Sequence, residues 1–199
     1  MKQLTFFFIL AAIIGCKQRN DFLIEGQLPD HTFDGEFVFM VPFEDATKEK
    51  VDSALVLNGK FTFQGHARKK EIFIIRTRPL LRLQLQEILI AKEPGTIRID
   101  FGRTSSAGGT SLNDSLQHWK NHKILFDQVM SQLQAVAGPP KTADVPAVQQ
   151  QIDSLQHVID DFHFNFIKNN RQNIVGQLIM KLMGSSFSAA QKEQLAMDK

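Results

Sequence analysis

The spacing of apolar residues changes once along this chain of 199 residues, and this change constrains the fold more than any other feature. Up to about residue 101, apolar and polar side chains tend to alternate, as they do in Lys60–Gln64. From about residue 112, apolar residues recur every three or four positions. Alternation is typical of strands with one buried face, and the longer spacing is typical of amphipathic helices. The sequence therefore predicts an α+β fold in which strands come first and helices follow.

About seven short apolar runs in the first half of the chain are predicted to be strands. Asn58-Gly59 between two of the runs predicts a tight hairpin, because both central positions of such a turn need positive φ. Short strands joined by tight turns favour antiparallel sheets. We therefore expect an N-terminal antiparallel β-sandwich or partly closed barrel, the β module, over residues 16–103. Its strands are predicted at about 22–28, 35–41, 51–57, 60–64, 71–77, 81–86 and 96–101.

The second half of the chain is predicted to be a helical region over residues 110–199. Residues 102–109 are mostly small and are expected to form a linker. Beyond them we predict a helical hairpin followed by short C-terminal helices. Ser111 with Asp114, and Ser188 with Gln191, have the spacing of N-terminal capping boxes. The helices are predicted at about 112–136, from Pro146 to about 166, at about 172–183 and after Ser188.

The first sixteen residues have the pattern of a bacterial export signal. A positively charged start is followed by an apolar run over residues 4–14, which is too short to span a bilayer because a spanning helix needs roughly 20 residues. Ile13-Ile14-Gly15-Cys16 resembles the lipobox, in which the cysteine receives a diacylglycerol and the peptide is cut before it. Since Cys16 is the only cysteine, we predict a lipoprotein signal peptide over residues 1–15 and lipid attachment at Cys16.

Charge and cysteine content exclude several classes of protein. The net charge is +2, and loss of Lys2 with the signal peptide would leave 22 basic against 21 acidic residues. Such a balance does not favour a nucleic-acid partner. A single cysteine rules out an internal disulfide, a Cys-x-x-Cys redox pair and a multi-cysteine zinc site. We predict no cofactor.

Histidines are the residues with the best spacing for a metal site. His118 and His122 lie four positions apart on one predicted helix, so both rings share a face and could chelate a metal. No third ligand lies close to them in the sequence. His157 and His163 are six positions apart and do not share a face. Solvent-facing helix histidines are the simpler interpretation, and we predict no metal site.

No catalytic constellation emerges from the remaining polar residues. Asp160 and Asp161 point about 100° apart on a helix, so they cannot act on one group. Residues 108–111 open a helix and could bind an anion, but they lack the lysine and the spacing of a phosphate-binding loop. We expect a linker and a helix cap there, no catalytic residue and a non-enzymatic protein.

Four stretches in this order resemble domain-of-unknown-function family 4369. They are Val51–Gly65, Ile88–Ile97, Gly109–Leu116 and Asn173–Gln177, and the resemblance extends over about 22–195. It implies a domain that follows the lipobox in Bacteroidota envelope lipoproteins and precedes a thioredoxin-like thiol–disulfide module. Redox chemistry is not carried over, because it needs two cysteines and this chain has only Cys16.

The resemblance also implies which way the anchored protein faces. Surface-exported lipoproteins of these bacteria tend to carry acidic residues directly after the cysteine, whereas Lys17–Asn20 is basic and polar. This difference predicts a lipoprotein of the cell envelope that is retained at the outer membrane and faces the periplasm.

Three functional hypotheses follow. The first is a lipid-anchored, non-enzymatic module that binds a protein partner, such as a separate thioredoxin-like protein. The second is a periplasmic lipoprotein that binds a small ligand between the β module and the helical hairpin. The third is the truncated front half of a thiol–disulfide oxidoreductase lipoprotein. A metal enzyme built on His118 and His122 is a remote fourth.

Overall fold

The computed structural model describes residues 20–78, 86–137 and 145–197. Within these ranges the chain forms eight strands followed by four α-helices. The strands are β1 (Asp21–Gln27), β2 (Phe37–Pro42), β3 (Asp52–Leu55), β4 (Lys60–His66), β5 (Glu71–Arg76), β6 (Glu87–Lys92), β7 (Gly95–Asp100) and β8 (Ser106–Gly108). The helices are α1 (Ser111–Ala137), α2 (Val145–Asn170), α3 (Ile174–Met183) and α4 (Ala189–Met197).

The strands form two four-stranded sheets that pack face to face. Sheet A has the order β4-β1-β7-β8, and sheet B has the order β3-β2-β5-β6. Neighbouring strands are antiparallel, except that β1 and β7 run parallel. The predicted α+β fold with an antiparallel sandwich is therefore confirmed, and the sheets do not close into a barrel. Fully buried side chains between the sheets include Ile24, Val38, Ile75, Ile90 and Ile97.

Gly26 shows how closely the sandwich is packed. It lies in β1 at a position that faces the core, where alternation would otherwise place a side chain. A Cβ atom there would lie 1.9 Å from Cζ of Phe61, so only glycine leaves room for that ring. The space that β1 leaves free is thus filled by an aromatic side chain from β4.

The Asn58-Gly59 turn has the predicted backbone and is closed by reciprocal backbone hydrogen bonds between Leu57 and Lys60, but the strands beyond it do not pair as a hairpin. Asn58 has φ 54° and Gly59 has φ 69°, as this tight turn requires. The strands on either side nevertheless belong to different sheets, and only the bridge between Leu57 and Lys60 joins them. The turn therefore lies at a corner where the chain crosses from one sheet to the other.

Two strands differ from the sequence prediction. The linker predicted at 102–109 contains β8, which pairs with β7 and places Ala107 in the core. Its small residues carry no apolar alternation, so the pattern could not reveal a strand. The strand predicted at 81–86 lies almost wholly outside the described residues, and the observed strand β6 begins at Glu87.

The helices pack on the outer face of sheet B. Ile72 of β5 with Leu89 and Ala91 of β6 form the floor of a second apolar core. The molecule thus has three layers, with sheet B in the middle. The helices contribute Leu112, Leu116, Trp119, Phe166, Ile167, Val175, Leu178 and Ile179 to this core. None of the described helices combines the length and the apolar character needed to cross a membrane.

The helix caps agree with the prediction at one end of the region and differ at the other. Before α4, Ser188 N–H donates to Gln191 Oε1 at 2.9 Å and Gln191 N–H donates to Ser188 Oγ at 3.3 Å, which is the predicted capping box. The box predicted for Ser111 and Asp114 is wrong. The carboxylate of Asp114 reaches back two residues beyond Ser111, to Gly109 N–H at 2.7 Å, because α1 already begins at Ser111.

Candidate functional site

The start of α1 is tied to the edges of both sheets by buried polar side chains. Asn113 is 1% exposed, and its amide pairs with the backbone of Ala91: Nδ2 donates to Ala91 O at 2.7 Å, and Oδ1 accepts from Ala91 N–H at 2.9 Å. The side chain thus supplies the hydrogen bonds that a further strand would give to edge strand β6. One turn later, Gln117 Oε1 accepts from Ala107 N–H on β8 at 2.9 Å.

A buried carboxylate completes this junction. Glu93, directly after β6, accepts from Leu112 N–H at 2.6 Å and so satisfies a free amide in the first turn of α1. A carboxylate at a helix N-terminus also interacts favourably with the helix dipole. The stretches Ile88–Ile97 and Gly109–Leu116 therefore meet in space, and their shared polar residues hold helix to sheet.

A broad cleft lies beside this junction, between α1 and the outer face of sheet B. It has a volume of about 1310 Å³. Sheet B contributes Ile74 and Leu89, and α1 contributes Lys120, Ile124 and Gln128, which lie on one helix face because they are spaced by four residues. Residues of the loops around Asp30 and Arg103 form the rest of its wall, together with Phe33, Phe43, Gln86, Glu87, Thr104 and Ser105.

Lys120 is the most perturbed ionisable group in the cleft. Burial lowers the pKa of Lys120 to about 8, because the charged ammonium loses hydration. Its Nζ donates to Leu89 O at 3.4 Å, and no carboxylate in the described part of the chain forms an ion pair with it. An amine held in this way has unused hydrogen-bonding capacity that faces the cleft.

The cleft contains carboxylates as well as cations. Asp30 and Glu87 line it together with Arg103 and Lys120, so the formal charges balance. The Asp30 carboxylate accepts from Thr32 N–H at 2.8 Å, and hydrogen bonds from Thr32 lower the pKa of Asp30. Asp30 is therefore held by its own loop, and neither Lys120 nor Arg103 forms an ion pair with a carboxylate in the described part of the chain.

His118 and His122 do lie together, but in an aromatic cluster. Their ring centroids are 4.4 Å apart, and Nδ1 of His122 lies 2.9 Å from the backbone oxygen of His118. The His122 ring stacks on Phe162 of α2, with centroids 4.7 Å apart. The described residues contain no group of three or more His, Cys, Asp or Glu side chains that could hold a metal. The contacts of these rings therefore join α1 to α2.

The other predicted candidates are dispersed along α2. His157 is exposed, whereas His163 is buried against Trp119, with ring centroids 6.1 Å apart. Nε2 of His163 and Nε1 of Trp119 have no hydrogen-bond partner among the described residues, and burial lowers the pKa of His163. Asp160 accepts from Gln156 Nε2 at 3.0 Å, and Asp161 is exposed. Cys16 lies outside the described residues, so lipid attachment there stays a prediction.

The open half of sheet B carries an exposed apolar strip. Phe37 of β2 and Leu55 of β3 are directly opposite each other and are 49% and 43% exposed, and Leu57 continues the strip at 60%. The helices cover β5 and β6 of the same sheet but leave this end uncovered. The strip was not predicted, since it depends on which half of sheet B the helices cover, whereas a ligand site between the β module and the helices is the second hypothesis from the sequence.

Comparison with known families identifies the β module. Residues 22–116 match the family described as Domain of unknown function (DUF4369). The match covers both sheets and ends within the first turns of α1, just after Asn113. No curated protein and no solved structure matches this chain. This segment is therefore similar to the DUF4369 family, which confirms the resemblance over residues 22–116, although the match is shorter than the expected 22–195.

Proposed function

We propose that this chain is a lipid-anchored, non-enzymatic module of the cell envelope that binds a protein partner. The observation that carries the proposal is the exposed strip of Phe37, Leu55 and Leu57. Apolar side chains grouped on one surface commonly mark sites of protein–protein contact. These three side chains lie on an outer sheet face whose other half is already buried under helices, so a partner would extend an existing apolar surface.

The anchor would hold this surface close to the membrane. Asn20, four residues after Cys16, is fixed to the sandwich because its carbonyl accepts from Ala67 N–H at 2.7 Å. Four extended residues span at most about 14 Å. A lipid on Cys16 would therefore keep the sandwich beside the bilayer, where it would meet other envelope proteins. The family resemblance makes a separate thioredoxin-like protein the first candidate.

Charge substitution in the strip tests the proposal. The tagged protein is crosslinked in its native membranes, and the captured proteins are identified by mass spectrometry. Leu57→Glu places a carboxylate in the centre of the proposed contact, and Val158→Glu is the matched control because Val158 is 55% exposed on α2, away from the strip. We expect a thioredoxin-like protein with Trp-Cys-x-x-Cys to be captured by wild type and Val158→Glu and lost with Leu57→Glu. Equal capture by all three would refute the assignment of the strip.

A second candidate function is the binding of a small ligand in the cleft between α1 and sheet B. The volume of about 1310 Å³ favours it, because a tightly filled contact between the two layers would leave no room for a ligand. The cleft and the strip lie on different parts of sheet B, so the two functions are compatible and are tested by different variants.

A further inference from the structure

The chemistry of the cleft indicates the class of ligand that it suits, and this inference rests on the second candidate function. The first element is the amine of Lys120, which has one long hydrogen bond, to Leu89 O at 3.4 Å. Transfer of an ammonium from water into a partly apolar site is unfavourable unless an anion pairs with it. A negatively charged ligand group beside Nζ would provide that pairing.

The second element is the apolar surface around the amine. Ile124 lies one helical turn beyond Lys120, and Ile74 and Leu89 face it from sheet B. Phe43 extends this surface at the end of β2. Burial of an aliphatic group here would remove apolar surface from water and so favour binding. The apolar wall therefore suits a hydrocarbon body attached to the charged group.

The remaining charges in the cleft favour a ligand with a single negative charge. Arg103 is the other cation of the lining, and Asp30 and Glu87 are carboxylates. The two cations and two carboxylates balance, so a ligand with one negative charge disturbs this balance less than a phosphate or a dicarboxylate would. Like charges at short distance are unfavourable where hydration is reduced.

We infer that the cleft binds an amphipathic monocarboxylate, with its carboxylate paired to Lys120 Nζ and its hydrocarbon chain against Ile74, Leu89 and Ile124. The amide and hydroxyl groups of Gln86, Gln128 and Thr104 at the cleft wall are available to hydrate or hydrogen-bond the headgroup. This assigns Lys120 as a binding residue and involves no bond making or breaking.

Octanoate and 1-octanol are matched probes for this inference, because they share a chain length and differ in the charged group. Isothermal titration calorimetry is done on the full chain in a non-ionic detergent, with the same detergent concentration throughout. We expect octanoate to bind at least tenfold more tightly than 1-octanol. We also expect Lys120→Met to weaken octanoate at least tenfold while leaving 1-octanol unchanged.

Lys123→Met is the control for the loss of one positive charge from α1. Lys123 lies in the same helix, but its Nζ pairs with Asp127 at 2.6 Å, and it does not line the cleft. Octanoate affinity should be unchanged in this variant. Circular dichroism of both variants establishes that they fold.

The outcomes separate the inference from the function on which it rests. Equal binding of octanoate and 1-octanol, with no effect of Lys120→Met, would overturn the role of Lys120 and leave the cleft as an apolar ligand site. Absence of binding by both probes would overturn the inference together with the ligand-binding function. Equal weakening by Lys120→Met and Lys123→Met would attribute the effect to net charge and overturn the assigned contact.

Discussion

Replacement of Asn113 by alanine tests the account of how the helices are held on the sandwich. The substitution removes the amide that pairs with both backbone groups of Ala91, a residue that is 0% exposed. A buried backbone group left without a partner costs about 1–3 kcal/mol. Two such groups give an expected loss of about 2–6 kcal/mol in the free energy of unfolding, which is a large fraction of the stability of an ordinary domain.

Asn121→Ala is the matched control, because it makes the same chemical change on an exposed face of the same helix. Asn121 Oδ1 accepts from Gln117 Nε2 at 2.7 Å in a solvent-exposed pair, and such helix-surface pairs contribute about 0.2–0.5 kcal/mol. Urea unfolding of both variants is followed by the fluorescence of Trp119, the only tryptophan, which is buried in the second core. A loss in Asn113→Ala no larger than that in Asn121→Ala would refute the structural role of the amide.

Three further predictions concern single positions in the described structure. Gly26→Ala places a Cβ 1.9 Å from Cζ of Phe61 and should lower the free energy of unfolding in urea titrations by about 1–3 kcal/mol. An unchanged urea midpoint would contradict the close contact between Gly26 and the Phe61 ring. Burial lowers the pKa of His163 in the folded protein, so the unfolded chain binds the proton more readily. The free energy of unfolding should therefore decrease as the pH falls from about 6.5, the ordinary pKa of histidine, toward the lower pKa of the folded state. Unfolding titrations between pH 7.5 and 5 should show this loss in wild type relative to His163→Met, and parallel curves would contradict it. Lys120 should titrate near pH 8 in NMR spectra of the methylated protein, well below the lysine reference value, and a resonance that titrates with the exposed lysines would contradict its burial.

The sequence predicted those elements whose own side chains carry the signal. Lys60–His66 alternates because one face is buried in the sandwich, and the Asn58-Gly59 turn is set by its own backbone preferences. The sheet to which each flanking strand belongs is set by other strands, because β4 pairs with β1 and β3 pairs with β2. The backbone preferences of Asn58 and Gly59 therefore predict the turn, but they do not predict how the flanking strands pair.

A ligand site between the β module and the helices was among the hypotheses, but its residues were beyond prediction because they come from distant segments. Asn113 has its partners in Ala91, which lies 22 positions earlier, and backbone acceptors leave no trace in the sequence. Lys120 resembles any other lysine on an amphipathic helix until Leu89 and Ile74 are placed opposite it. A sequence motif can thus contain the polar residues that hold two elements together without revealing that this is their role.

The chemical state of the N-terminus shows directly whether a lipid on Cys16 anchors this module in the cell envelope, as we propose. The protein is expressed in a bacterium with lipoprotein processing, purified from membranes, and measured by intact and peptide mass spectrometry beside Cys16→Ala. We expect a wild-type chain that begins at Cys16 and carries a diacylglyceryl group, and a variant that lacks the lipid and leaves the membrane fraction on washing. A wild-type chain that retains residues 1–15, or one with a free Cys16 thiol, would contradict it.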